Sequence, residues 1–374
     1  MTYTKEEINQ EIEKYLASFE KVLYEEDSEF MKNMAEKSLA HDDIRAYQFW
    51  EWTQGVGLYG VWKLYSDSGD RRYLDILTSY YDRQFTVGFP AKNVNTVTPL
   101  LAMSFVAEEQ KNEKYLGVCR EWAEWIYKSF PRTREGGFQH ITSDSENPQE
   151  LWDDTLFMTV LFLANIGRIL KKQEYMDEAE YQFLVHMKYL ADRKTGLWYH
   201  GWSFKENNNF AAAFWGRGNC WVTAAIPEFL NMIPVNRSTA RMLTEAWRRQ
   251  VETLVSLQEE DGMWHTLLDD STSYVESSAT AGIAYGILYG TRIGIGEKEW
   301  ADKAMRSLKA MFDNTDADGV VHQVSYGTPM GRESRDFYKS IALKPMPYGQ
   351  ALAMLFFMES KKYMASDLKR RNEK

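Results

Sequence analysis

Two cysteines in 374 residues, Cys119 and Cys220, are too few for a disulfide framework. No apolar stretch runs for the roughly 18 charge-free residues that a membrane-spanning helix needs, so no membrane partner is expected. The opening MTYTKEEINQEIEKYL is acidic and amphipathic. It lacks the basic start and apolar run of a secretory signal, and a cytoplasmic location is the expectation. Basic residues are in deficit: 44 Lys and Arg against 54 Asp and Glu leave a net charge of −10. That excess of negative charge argues against nucleic acid as a partner, while one or two local cations would suffice for a small anion. The signatures GxxxxGK[ST], GxGxxG after a strand and GxSxG are all missing, so nucleotide chemistry and serine hydrolysis have no support. No two of the 6 histidines stand one helical turn apart, so no metal site and no cofactor are expected.

Aromatic residues are plentiful: 13 Trp, 22 Tyr and 19 Phe. Such rings fill cores, and they also make flat platforms on which sugars stack. Four of the histidines fall in one recurring pattern, a glycine turn leading to apolar residues and then His. It reads GGFQH at His140, TGLWYH at His200, DGMWH at His265 and DGVVH at His322, with spacings of 60, 65 and 57 residues. Each copy predicts a tight turn into a short extended piece.

After each copy comes a polar or aromatic patch and then a helix that is small or apolar nearly all round. Two earlier segments, around residues 50 and 95, carry the same helix without the histidine turn. A helix apolar on every face is buried on most of its surface. Between these six lie helices with one apolar stripe and one charged face. Six buried helices alternating with six amphipathic ones predict an all-α fold, a closed (α/α)6 barrel of six helical hairpins. One catalytic domain over residues 1–374 is expected, with a short N-terminal lead-in and a charged C-terminal tail. An open solenoid of the same hairpins is disfavoured, because its ends would need polar capping repeats.

Closure would bring the starts of the inner helices to one mouth. It would gather Trp52, Asn95, Asp154, His200, Arg217, Trp221 and Glu276 there. In ELWDDTLFM, Asp153 and Asp154 precede a long apolar run. An Asp at a helix start is commonly a cap, and Asp153 can take that part. Asp154, walled by Trp152 and Phe157 beside a second carboxylate, would favour its protonated form and could serve as a general acid. Arg217, between two glycines in FWGRGNCW, reads either as a structural partner of Asp154 or Glu276, or as a clamp on a substrate carboxylate. His140 and His200 flank the predicted mouth more closely than His265 and His322. Trp52, Trp152, Trp215 and Trp221 fall at inner-helix starts, where core filling and sugar stacking are both open to them.

The elements EGGFQH, ELWDDTLFM, TGLWYHGW, FWGRGNCW and YVESSA, in this order, resemble the unsaturated rhamnogalacturonyl hydrolases of glycoside hydrolase family 105. The unsaturated glucuronyl hydrolases of family 88 are similar at greater distance. The resemblance covers nearly the whole chain. It implies an (α/α)6 barrel acting on a small anionic oligosaccharide that ends in a C4–C5 unsaturated uronic acid. An aspartate, matched by Asp154, would protonate C4, and water would add at C5. His200, Arg217 and Trp221 match substrate-contacting positions, with His140 and Trp152 nearby. One departure stands out: a second Asp that many relatives carry at the start of the second inner helix is Asn95 here, and Asn cannot take up a proton. Two other readings of the same barrel are a sugar epimerase using histidines as acid and base, and a non-catalytic glycan-binding barrel.

Overall fold

A computed structural model describes residues 3–24 and 50–372. Two facts of sequence set its helices: which segments are apolar on every side, and where turn residues interrupt them. The inner helices are α2 (Trp52–Ser68), α4 (Pro99–Gln110), α6 (Leu161–Leu170), α8 (Gly216–Met232), α10 (Ser277–Arg292) and α13 (Pro347–Asn372). In α8 and α10 nearly every side chain is buried. The outer layer is α3 (Arg71–Val87), α5 (Glu113–Ser129), α7 (Gln173–Leu190), α9 (Arg237–Ser256) and the broken pair α11 (Lys298–Ala304) and α12 (Ser307–Asp313). These bury a single stripe, such as Tyr73, Leu74, Leu77, Tyr80 and Tyr81 on α3.

The sixth outer helix is α1 (Lys5–Val22), started by a Thr4–Glu7 capping box. The segment expected as a lead-in is thus part of the barrel wall. Tyr15 donates to or accepts from Thr315 across 3.0 Å and sets its ring edge-on to Phe357 of α13. Gln350 of α13 donates to Ser18 at 3.1 Å. The last inner helix therefore pairs with the first helix of the chain. Inner helices meet around the whole ring: Trp52 of α2 stacks on Tyr348 of α13 with centroids 4.6 Å apart. A Cβ on Gly286 of α10 would fall 2.5 Å from the Thr223 backbone of α8, so only glycine allows that approach. The ring is closed, and the all-α (α/α)6 barrel expected from the repeat is the observed fold.

Links from inner to outer helices are two to five residues long, as at Gly69, whose φ of 68° ends α2. The described links from outer to inner helices are long and lie at the other end. They contain the four repeat turns. Gly136, Gly196, Gly262 and Gly319 each have positive φ, between 77° and 90°. Three of them press on a neighbouring outer layer: a Cβ would fall 2.9 Å from the Arg249 backbone, 2.8 Å from that of Arg306 and 2.3 Å from that of Lys14. The turns lock successive hairpins together, the last one onto α1. In two of these links, strands β1 (Glu150–Trp152) and β2 (Gly201–Ser203) pair antiparallel, Trp152 opposite Gly201. Among the described residues, no helix is long and apolar enough to cross a membrane.

Candidate active site

At the mouth a continuous belt of side chains links segments far apart in sequence. His140 stacks on Trp152 at 4.2 Å and 7°. Trp152 meets His200 edge-on at 5.1 Å, and His200 lies 4.3 Å from the Trp215 ring. The Arg217 guanidinium sits 4.7 Å above Trp215 and 4.8 Å from Tyr348. Tyr348 stacks on Trp52, which stands edge-on to Trp221 at 6.0 Å. Trp221 touches Phe157 at 5.1 Å, one turn beyond Asp154, and the belt closes.

Asp154 stands where the third inner helix begins. The first turn there, Leu156–Val160, is π-helical and has no side-chain cap. π turns are rare and frequent at functional sites. The Asp154 side chain keeps 16% exposure, yet its Oδ1 is buried without a hydrogen-bond partner among the described residues. His140 Nδ1 lies 3.4 Å from this oxygen. That nitrogen shares a 2.8 Å hydrogen bond with Thr155 Oγ1, and burial pushes the His140 pKa down to about 3. A neutral imidazole offers no counter-charge. Burial lifts the Asp154 carboxyl to about 7, with Arg217 pulling the other way. Near neutral pH it holds its proton for much of the time.

Asp153 does not cap the helix as expected. It is fully buried, and neither carboxyl oxygen has a hydrogen-bond partner among the described residues. Gly218 lies against it: a Cβ there would fall 2.2 Å from Asp153 Oδ2. Burial first, then the charge of Asp154, raises its pKa far above the ordinary carboxylate value.

Arg217 is 1% exposed. One terminal nitrogen donates to the Ser325 carbonyl at 2.9 Å and also to the Ser325 hydroxyl. The other donates to Thr328 Oγ1 at 2.9 Å and the Tyr326 carbonyl at 3.3 Å. Glu276 Oε1 lies 3.8 Å away and accepts from the Ser325 N–H at 2.8 Å. Of the two partners weighed from sequence, Glu276 is the one within ion-pair distance. The pair holds the loop 323–346 over the mouth, and only Nε of Arg217 remains without a partner.

Trp215, Trp221 and Trp152 are 3%, 1% and 6% exposed; of the four tryptophans, Trp52 alone is half-buried. Asn95 lies in a one-turn helix, Val94–Val97, that precedes α4 rather than at its first residue. There its side chain lies near Glu51 and works to lower the pKa of that carboxyl. Glu51 caps α2, accepts from the Trp52 N–H at 3.3 Å and from the Ser143 hydroxyl, and burial lifts its carboxyl to about 7. Sequence reading passed over Glu51, although its spacing to Gln54 is a helix-start signal: the Glu51 N–H donates to Gln54 Oε1 at 3.1 Å. His265 and His322 bond Glu259 at 3.0 Å and Asp316 at 2.8 Å, outside the belt. Among the described residues, no three His, Cys, Asp or Glu side chains converge as a metal site requires.

The family model described as Glycosyl Hydrolase Family 88 matches residues 23–364. The unsaturated rhamnogalacturonyl hydrolase YesR of Bacillus subtilis is 33% identical over 313 residues, 83% of this chain and 89% of that protein. A crystal structure from Salmonella enterica, described as a possible member of family GH105, superposes with a TM-score of 0.88 at 40% identity, over 97% of this chain and 95% of that one. An unsaturated glucuronyl hydrolase from Bacillus sp. GL1 shares the fold, with a TM-score of 0.66 at 18% identity over 94% and 96% of the chains. The chain belongs to Glycosyl Hydrolase Family 88 and is a glycoside hydrolase.

Proposed function

We propose that this family member releases a C4–C5 unsaturated uronic acid from the non-reducing end of oligosaccharides of the rhamnogalacturonan type, and that residues 1–374 work as one catalytic domain. The proposal rests most heavily on one observation: Asp154 presents a part-exposed carboxyl with a raised pKa and no charged partner within ion-pair distance among the described residues, at the floor of an aromatic mouth. The relative YesR, named for unsaturated rhamnogalacturonyl hydrolysis, supports the substrate class.

In this reading the Asp154 carboxyl gives its proton to C4 of the vinyl ether. Positive charge develops at C5 and the ring oxygen. Water bonds to C5 and returns a proton to the Asp154 carboxylate. The hemiketal then opens, and the glycosidic bond breaks with it. No second carboxylate beside the anomeric carbon is required, unlike the ordinary pair in glycosidases. Trp52 supplies the stacking face, Trp152, Trp215 and Trp221 wall the mouth, and Arg217 lends positive charge while holding the loop. Asn95, near Glu51, offers an amide to water or to a sugar hydroxyl.

The test is a panel of lyase-generated unsaturated disaccharides and their saturated counterparts. Loss of the ultraviolet absorbance of the enol uronate is expected with the unsaturated rhamnose-linked member and nothing with the saturated ones. Cleavage of both alike would end the proposal.

A further inference from the structure

Tyr338 lies in the loop 323–346, on a one-turn helix Asp336–Lys339, and is fully buried. Its hydroxyl stands 2.6 Å from His200 Nδ1. The same oxygen accepts from the Gly331 N–H at 3.1 Å. Beyond these it reaches only Met330 Sδ at 3.8 Å. His200 is 1% exposed, and its other ring nitrogen, Nε2, is buried with no partner among the described residues. The ring is clamped between Trp152 and Trp215, so it cannot turn to find one.

A phenol has one proton to give. Were Nδ1 the protonated nitrogen, the Tyr338 oxygen would accept twice, from His200 and Gly331, and its own proton would be left to a thioether, a weak acceptor. Were Nε2 protonated instead, the phenol would donate to Nδ1 and accept from Gly331, and the Nε2–H would be the one strong donor left over for a ligand. Burial holds the ring neutral, with its pKa far below the usual range. One proton therefore serves both nitrogens, and the phenol decides where it sits.

We propose that Tyr338 is a positioning residue that fixes His200 as the Nε2–H tautomer, so that His200 meets the substrate as a hydrogen-bond donor to an oxygen of the unsaturated uronyl unit. This rests on the function proposed above, and it gives His200 a binding role without proton transfer. The terminal nitrogens of Arg217 are taken up by Ser325, Tyr326 and Thr328, so an anionic sugar needs donors from elsewhere in the mouth. A neutral N–H fixed in direction supplies one.

The test reads the tautomer without turnover. In full-length protein with nitrogen-15 in the histidine rings, the His200 signals are identified by their loss in His200→Gln. The expected pattern is a protonated Nε2 and an unprotonated Nδ1. Tyr338→Phe should blur that pattern into a tautomer mixture and raise KM about tenfold while kcat changes less. His200→Gln, whose amide N–H reaches the Nε2 position, should keep more activity than His200→Asn. An unprotonated Nε2 in the wild type, or an unchanged ring spectrum in Tyr338→Phe, overturns the proposal. Should no saccharide be cleaved, the function proposal falls, and the ring spectrum still decides the tautomer.

Discussion

The two ends of the barrel bury charge in opposite ways. At the end away from the mouth, Lys63 reaches Glu228 at 2.9 Å, with side-chain exposures of 14% and 2%. Tyr285 also donates to Glu228, and Lys63 lies 4.5 Å over the Tyr289 ring. Arg292 grips Glu359 through two hydrogen bonds of 2.7 and 3.0 Å, and Lys362 adds a third. Burial alone would raise Glu359, yet these partners hold its carboxyl below the ordinary value. At the mouth, the buried Asp153 and the part-exposed Asp154 have no cation in contact among the described residues, and both are raised. One fold thus pairs its buried carboxylates with cations at one end and, beside the Arg217–Glu276 pair, leaves two carboxyls without a counter-charge at the other. An uncompensated buried carboxyl costs stability. Its place at the open end, where a ligand can enter, is what a reactive acid needs.

The contrast is broken most sharply at Asp154. Asp154→Asn should lower kcat by about 10³-fold, measured by loss of enol absorbance, while circular dichroism and melting stay those of a folded protein. A mere tenfold loss would place the acid elsewhere. For the wild type, activity should fall as pH rises through about 7, where Asp154 gives up its proton. A rate that climbs above that pH would contradict the acid role.

Lys63→Met should act in the reverse sense. It strips Glu228 of its cation and should cost about 3 kcal/mol in urea unfolding, with kcat of the folded fraction unchanged. A variant as stable as the wild type would mean that the far-end network is not holding the ring.

The smallest effects concern pH and stability, and their signs should oppose each other. Asp153 has a raised folded pKa, so its contribution is intact below about pH 4 and is lost as pH rises. Asp153→Asn should therefore melt higher than the wild type at neutral pH, by a margin that shrinks toward pH 4. Glu359 has a lowered folded pKa, so its contribution is present above the ordinary value and lost as pH falls. Glu359→Gln should melt lower at neutral pH, with the gap closing in acid. Melting curves over that range check both, and parallel behaviour of the two variants would refute the distinction between the ends.

Much of this was legible along the chain. The spacing of His140, His200, His265 and His322 announced the repeat, and each turn glycine holds the positive φ that a tight turn demands. Asp154, Trp152 and Phe157 could be placed together because they are neighbours on one helix start. Glu51, Tyr338 and Tyr348 could not. Tyr338 lies 138 residues from its partner His200, in a loop that reads as polar and irregular. The roles of Asp153 and Arg217 were equally hidden, since a cap and a buried orphan, or a clamp and a strut, look the same in one dimension.

What the sequence determined by itself is the fold class: helices apolar all round must be covered on every side, and a ring of hairpins covers them. That follows from local composition and period, which survive without knowledge of contacts. Which buried charges are paired was settled only in three dimensions. Pairing depends on distances of a few ångströms between residues a hundred or more positions apart, and electrostatics in a poorly solvated interior turns those ångströms into whole pKa units.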